Sequence, residues 1–263
     1  MDALIIAAGF GSRLRPVAES KPLTPVLGLP LLALAIMQVA RAGVQRVVVV
    51  TGYAAEAVEA ALPGFAQSAG IRVDAVRVAD HTLPNGHSVI AGAVAISGDY
   101  LLVMADHIFS DSILPKLAEQ AAPDRGVTLA IDRRVKHPLI DPDDATWVRL
   151  GLGDRIAAIG KTIEPYDAVD CGAFLATSEL ADAIAEAITL GRPGSLSDGM
   201  QVLAGRGRAA TMDIGDAWWI DVDDPRSLDL AEASVREHVS QAFSLSRRAG
   251  ASEDKSEDEG AEA

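Results

Sequence analysis

Three short runs constrain this chain more than any other feature. Residues 4–8 (Leu-Ile-Ile-Ala-Ala), the consecutive valines Val47, Val48, Val49 and Val50, and residues 100–104 (Tyr-Leu-Leu-Val-Met) are strand-length and apolar throughout. A strand with one face in water alternates apolar and polar residues, so an unbroken apolar run marks a strand covered on both sides. Segments of helical apolar spacing separate the runs: residues 31–42, stopping at Gly43, residues 54–62, closed by Pro63 and Gly64, and residues 88–96, with Asn85 as N-cap. Strands over 46–51, 71–78 and 127–131 and a helix over 111–121 complete a β-α-β-α alternation. The expected class is α/β, a mainly parallel sheet with helices on both faces.

Beyond Arg133 the pattern changes. Residues 134–154 read as a charged loop, followed by strands at 155–159 and 169–176, helices near 178–190 and 195–205, and strands at 209–214 and 217–222. A last helix starts at Pro225, behind Asp224 as N-cap, and runs to about residue 244. One domain is expected over 1–247 and a disordered acidic tail over 248–263, because residues 253–263 hold six acids and one lysine and almost nothing apolar. The tail supplies −5 of a net charge of −14, and a chain this acidic is no nucleic-acid binder. No apolar stretch approaches the roughly 18 residues that span a bilayer, which excludes membrane insertion. No cationic segment precedes the first apolar run, and the single cysteine, Cys171, permits neither an internal disulfide nor a cysteine metal cluster. A cytoplasmic location is expected.

The first apolar run opens into Gly9-Phe10-Gly11-Ser12-Arg13-Leu14-Arg15-Pro16, with Lys21-Pro22-Leu23 just after. Glycines let backbone N–H groups approach an anion closely, and Arg13, Arg15 and Lys21 can neutralise it. A strand leading into such a loop is how α/β proteins build phosphate sites at the carboxyl edge of a sheet. Leu14 stands where a dinucleotide fingerprint needs its third glycine or alanine, and no Gly-Lys-Ser/Thr follows at Walker spacing. A nucleotide-phosphate loop of another kind remains.

Carboxylates gather at two strand ends. Asp106 follows residues 100–104, and Asp221, Asp223 and Asp224 follow Trp218, Trp219 and Ile220. In isolation Asp106 reads equally as a cap or turn residue. Alternation puts Asp221 and Asp223 on one face and Val222 on the other. Paired carboxylates can hold a hard cation, and Mg²⁺ favours oxygen ligands completed by water and phosphate. A phosphate loop with such carboxylates indicates chemistry on a nucleoside triphosphate. A phosphomonoester acceptor is already largely dianionic at pH 7, so no catalytic base is required, and no Ser/His/Asp or Cys/His constellation is evident. His107 reads as orienting Asp106 or the loop. The turn Pro84-Asn85-Gly86-His87-Ser88 can line a base or ribose, or serve as a plain cap. Lys161 can hold an acceptor phosphate or lie on the surface, and Asp170 and Gly172 share the next strand.

Residues 4–16 with Lys21-Pro22-Leu23 resemble the signature of the sugar-phosphate nucleotidyltransferases, and the likeness extends to about Val239. Within that family, residues 104–109, 141–146, 160–172 and 215–225 are similar to the inositol-1-phosphate cytidylyltransferases. The resemblance implies a Rossmann-like, mainly parallel mixed sheet of the GT-A-like type. It also implies cytidylyl transfer from CTP to inositol 1-phosphate, giving CDP-inositol and pyrophosphate. In its terms Gly9, Gly11 and Arg13, with Ala8 and Ser12 of the same loop, wrap the triphosphate and Lys21 meets the reacting centre. Asn85, Gly86 and Ser88 sit by the nucleotide, Asp106, Asp221 and Asp223 hold Mg²⁺, and Lys161, Asp170 and Gly172 face the acceptor. Trp147 stands where a lysine is expected and Cys171 where a threonine is, both in the acceptor half. Phosphocholine or a sugar 1-phosphate as acceptor, another NTP as donor, a silent nucleotide-binding regulator and a glycosyltransferase with Asp221-Val222-Asp223 as metal motif are the alternatives. Family members are often fused to a membrane phosphotransferase. A separate membrane CDP-alcohol phosphotransferase is therefore the expected partner for any second step, and oligomeric state, a homodimer included, is left open.

Overall fold

The computed structural model describes residues 1–120 and 124–239. The chain begins with β1 (Asp2–Ala7), the short pair β2 (Pro25–Val26) and β3 (Leu29–Pro30), α1 (Leu31–Arg41), β4 (Arg46–Thr51), α2 (Ala55–Ala69), β5 (Arg72–Arg77) and α3 (Asn85–Ala93). It continues through β6 (Tyr100–Met104), β7 (His107–Phe109), α4 (Ile113–Ala118), β8 (Val127–Asp132), β9 (Trp147–Leu150), β10 (Ile156–Gly160) and β11 (Ala168–Ala176). It closes with α5 (Ser178–Thr189), α6 (Leu196–Gly205), β12 (Ala209–Asp213), β13 (Trp219–Asp221) and α7 (Pro225–His238). The expected helix end near 244 and the acidic tail lie outside the described residues.

Nine strands form one mixed sheet in the order β10-β9-β11-β6-β1-β4-β5, with β8 also paired to β11 and β12 beyond it. The half β6-β1-β4-β5 is parallel, and β11 pairs antiparallel with β6, β8 and β9. The unbroken apolar runs are buried as expected, because alternate residues serve opposite layers. Ala3, Ile5, Val47 and Val49 pack against α1, α2 and α4, while Leu4, Ile6, Val48 and Val50 pack against α3, α5 and α6. A third cluster joins Leu14, Leu31, Leu34, Ile108, Ile220, Val222 and Val235, seating α7 and the β7–β13 ribbon beside α1.

Four expectations needed correction. Helix α2 runs through Pro63 and Gly64. Both are exposed, so the lost backbone bond falls on the solvent face, while Phe65 and Ala69 beyond them pack against the core. Asn85 is not the cap of α3: Pro84 holds that position, the helix starts at Asn85, and the Asn85 amide oxygen accepts from Leu196 N at 2.9 Å. Residues 134–154 are not all loop, since Trp147 and Val148 begin β9, buried on opposite faces of the sheet, in a strand too short to show a period. The run 217–222 is only partly strand, and β13 pairs with β7 outside the main sheet. By contrast Asp224 caps α7 as expected, accepting from Ser227 N at 2.7 Å in a capping box.

Candidate active site

β1 and β6 are parallel neighbours with Ile6 opposite Met104, so the loops after them leave the same edge side by side. Ile6 and Ala7 at the end of β1, with Ala105 and Asp106 just past β6, line a crevice at the carboxyl ends of the strands. Ser12–Leu14 and Lys21–Leu23 form single 3-10 turns. Leu14, fully buried, pins the first of them, and burying a leucine contributes about 1.5–3 kcal/mol. Gly11 adopts φ 59°, and a Cβ there would lie 2.4 Å from Cβ of Lys21, so this glycine lets the two turns close on each other. A Cβ on Gly9 would meet nothing within 4 Å; its bareness serves the open side of the loop.

Two cavities meet here. One of about 250 Å³ is lined by Gly9, Gly11, Ser12, Arg13 and Lys21, and one of about 270 Å³ by Asn85, Asp144, Lys161, Asp170 and Gly172. Both include Asp106 and Asp223 in their walls. Lys21 Nζ donates to Asp106 and to Asp223 at the junction. Arg13 Nη2 donates to Asp223 Oδ2 and to Asp144 Oδ2, both at 2.6 Å, and Lys161 Nζ donates to Asp144 Oδ1 at 2.6 Å. Arg13, Lys21, Lys161 and the carboxylates thus form one continuous network.

His107 sits beneath it. Its Nδ1 lies 2.8 Å from Asp106 Oδ1 and 3.7 Å from Asp221 Oδ1, and its ring stacks on Trp219 at 5.9 Å between centroids. Gly172 makes room for that ring: its φ is 74°, a Cβ would fall 2.5 Å from His107 Cδ2, and the β11–β8 register shifts around it. Gly172 therefore lets β11 approach the His107 ring closely. Burial alone would lower the His107 pKa, but Asp221 and Asp106 outweigh it and raise it to about 9, so the ring is a cation that orients Asp106. Burial raises Asp106, yet Lys21 and His107 hold its carboxyl far below the usual range. Burial pushes Asp170 up to about 6, against the N–H of Gly172 that its Oδ1 accepts at 2.7 Å.

Oxygens of Asp144, Asp221 and Asp223 lie within 4.8 Å of one another, and those of Asp106 and Asp221 do so with a nitrogen of His107. Asp221 Oδ1 is buried with no hydrogen-bond partner among the described residues, and burial raises its pKa. An all-oxygen set with one unsatisfied carboxylate oxygen suits a hard divalent cation such as Mg²⁺.

Gly9, Gly11, Ser12, Arg13, Lys21, Asp106 and Asp223 come together at one end of this cleft, and Asn85, Lys161, Asp170, Gly172 and Asp221 along the rest of it, while Ala8 lines neither cavity and is buried in the core layer of α3. Gly86 and Ser88 stand apart. A Cβ on Gly86 would lie 2.3 Å from Gly194 O, and Ser88 is buried, so both pack α3 against neighbouring elements. The two departures from the family pattern are core positions. Trp147 stacks on Tyr166 at 4.1 Å, and Cys171 is fully buried in the same cluster. Sequence reasoning missed Asp144. Its segment, residues 141–146, was distinctive, but nothing in it says which of three aspartates turns inward.

The family described as MobA-like NTP transferase domain matches residues 3–159. The chain is 33% identical over 237 residues to the bifunctional IPC transferase and DIPP synthase of Rubrobacter xylanophilus, which covers 89% of this chain and 52% of that protein. It is 29% identical over 232 residues to the protein of the same name from Aquifex aeolicus, covering 88% and 50%. The chain spans about half the length of these curated relatives. The solved structure of the inositol-1-phosphate CTP transferase from T. maritima superposes with a TM-score of 0.77 at 24% identity, over 90% of this chain and 96% of that one, a likeness of fold.

Proposed function

The chain belongs to the MobA-like NTP transferase domain family, and from that premise we propose that it transfers a cytidylyl group from CTP to inositol 1-phosphate, giving CDP-inositol and pyrophosphate. The observation that carries the reading is the convergence of the glycine loop, Lys21 and two carboxylates at the junction of two cavities. The names of the Rubrobacter and Aquifex relatives, and the four segments similar to inositol-1-phosphate cytidylyltransferases, support the acceptor and the nucleotide.

In this mechanism the backbone of residues 9–12 and the side chain of Arg13 hold the triphosphate, and Asn85 shapes the nucleoside end. Lys161 and Asp170 orient the acceptor, with Gly172 behind them. An oxygen of the acceptor phosphate, already deprotonated, attacks the α-phosphorus. The new P–O bond forms as the bond to the β-phosphate oxygen breaks, and pyrophosphate leaves with that electron pair. Lys21 neutralises the charge that builds on the reacting phosphate, and its preset position lowers the barrier. Asp106, Asp221 and Asp223 would hold Mg²⁺, which screens phosphate charge when bound. His107 keeps Asp106 in its orientation.

A second reading keeps the chemistry and changes the acceptor to phosphocholine or a sugar 1-phosphate; Trp147 in place of the expected lysine favours it. No described helix is long and apolar enough to cross a membrane. We place the reaction in the cytoplasm, with a membrane CDP-alcohol phosphotransferase consuming the product.

Pyrophosphate release, measured with each NTP against a panel of phosphorylated acceptors, tests the proposal. Release with CTP and inositol 1-phosphate above all other pairs is expected. Release with another pair refutes the acceptor or nucleotide, and none with any pair favours a silent regulator.

A further inference from the structure

Asp144 has both of its oxygens occupied, and by cations from opposite sides of the cleft. Oδ2 accepts from Arg13, on the loop after β1, and Oδ1 from Lys161, just beyond β10, each at 2.6 Å. The segment that carries it is fixed from both ends. Asp141 Oδ1 accepts from Asp143 N at 3.0 Å, Asp141 O accepts from Ala145 N at 2.9 Å, and Thr146 O accepts from Asp170 N at 2.9 Å, which ties it to β11. Arg13 and Lys161 are about half exposed, with side-chain exposures of 47% and 59%. Ion pairs of this kind add little to stability, so the arrangement calls for another explanation.

Two like charges drawn to one carboxylate would otherwise repel each other, and Asp144 between them cancels that repulsion. Neither cation is exhausted by the contact. A guanidinium has five N–H donors and an ammonium three, so each can keep Asp144 and still donate to a phosphate oxygen. Asp221 Oδ1, by contrast, has no hydrogen-bond partner among the described residues.

We propose that Asp144 is a positioning residue: it ties the nucleotide-side cation Arg13 to the acceptor-side cation Lys161, so that the acceptor phosphate is held beside the phosphate it attacks. The proposal rests on the reading of this cleft as a nucleotidyltransferase site and deepens it by naming what joins its halves. An amide at this position has one accepting oxygen and offers N–H groups to the second cation, so Asp144→Asn uncouples the pair without emptying the space.

The test compares Asp144→Asn and Asp144→Ala with the wild-type chain in steady-state assays with CTP and inositol 1-phosphate. A rise of about tenfold or more in acceptor KM is expected, with CTP KM changed less than threefold, half-saturating Mg²⁺ unchanged and melting temperature within about 2 °C. An unchanged acceptor KM overturns the proposal. A shift in half-saturating Mg²⁺ as large as the shift in acceptor KM also overturns it, since that outcome makes Asp144 a metal ligand. The wild-type rate reports separately on the proposed activity, and the variant-to-wild-type ratio can be read with whichever acceptor supports turnover. Binding of inorganic phosphate to the CTP-loaded chain, followed by calorimetry, needs no turnover. It should weaken about tenfold in Asp144→Asn, and equal affinity in both chains, or no phosphate site in the wild type, overturns the proposal.

Discussion

The two walls of the cleft are made in different ways. The wall that carries Gly9, Gly11, Arg13 and Lys21 comes from one stretch, residues 9–21, which leaves a buried strand and is pinned by the buried Leu14 within it. The opposite wall takes Asp144 from the segment before β9, Lys161 from the end of β10, Asp170 and Gly172 from a bulge in β11, and Asp223 from beyond β13. A site built from one stretch keeps its spacing in the sequence. A site built from four elements has no spacing to read, because the sheet sets its distances.

The comparison predicts that a change on the first wall disables every reaction the chain can perform, while a change on the second discriminates among acceptors. Lys21→Met should lower kcat/KM by about 10³-fold with any acceptor, since it removes the charge preset at the junction. A loss confined to one acceptor would break the division. Lys161→Met should raise acceptor KM about 10- to 100-fold and leave CTP KM unchanged, matching the loss of one charge-assisted bond. Equal losses in both KM values would make the walls a single unit.

Glycines separate the walls by stability. Gly172→Ala forces a residue into φ 74° with its Cβ 2.5 Å from the His107 ring, and should cost about 1–3 kcal/mol in urea unfolding. Gly9→Ala has open space before it and should leave unfolding unchanged while weakening CTP binding. Reversed outcomes would exchange the structural and the ligand-facing glycine.

The smallest effect concerns His107 in chelator-treated protein. A histidine whose folded pKa exceeds its unfolded value of roughly 6.5 stabilises the fold fully below that value and loses the contribution as pH rises through the folded one. Metal-free stability should therefore decline between about pH 6.5 and about 9. His107→Gln should flatten the profile, and an unaltered slope would mean that another group titrates there.

Much of the fold was legible because burial leaves a pattern in the chain. Val47 to Val50 could only be a strand covered on both faces, and they are fully buried between two helical layers. Asp224 before Pro225 announced the start of α7, because capping is local chemistry. Trp147 in β9 was not legible: four residues are too few for a period, and a neighbouring strand makes them a strand. Pro63 read as a stop because the penalty for proline inside a helix is local, while the packing of Phe65 and Ala69 that carries α2 past it is not.

The amino-acid sequence by itself determined the alternating α/β layers, the glycine loop after β1 and the identity of its cations, since each depends on neighbours within a turn or a strand. Only the tertiary structure decided that Lys21 lies between Asp106 and Asp223, that Gly172 exists for His107, and that Asp144 joins Arg13 to Lys161. Arg13 and Asp144 are 131 residues apart, and Lys21 and Asp223 are 202 apart. At such separations the chain carries no record of which charges meet. The register of β1 on β6 and the bulge in β11 bring them together.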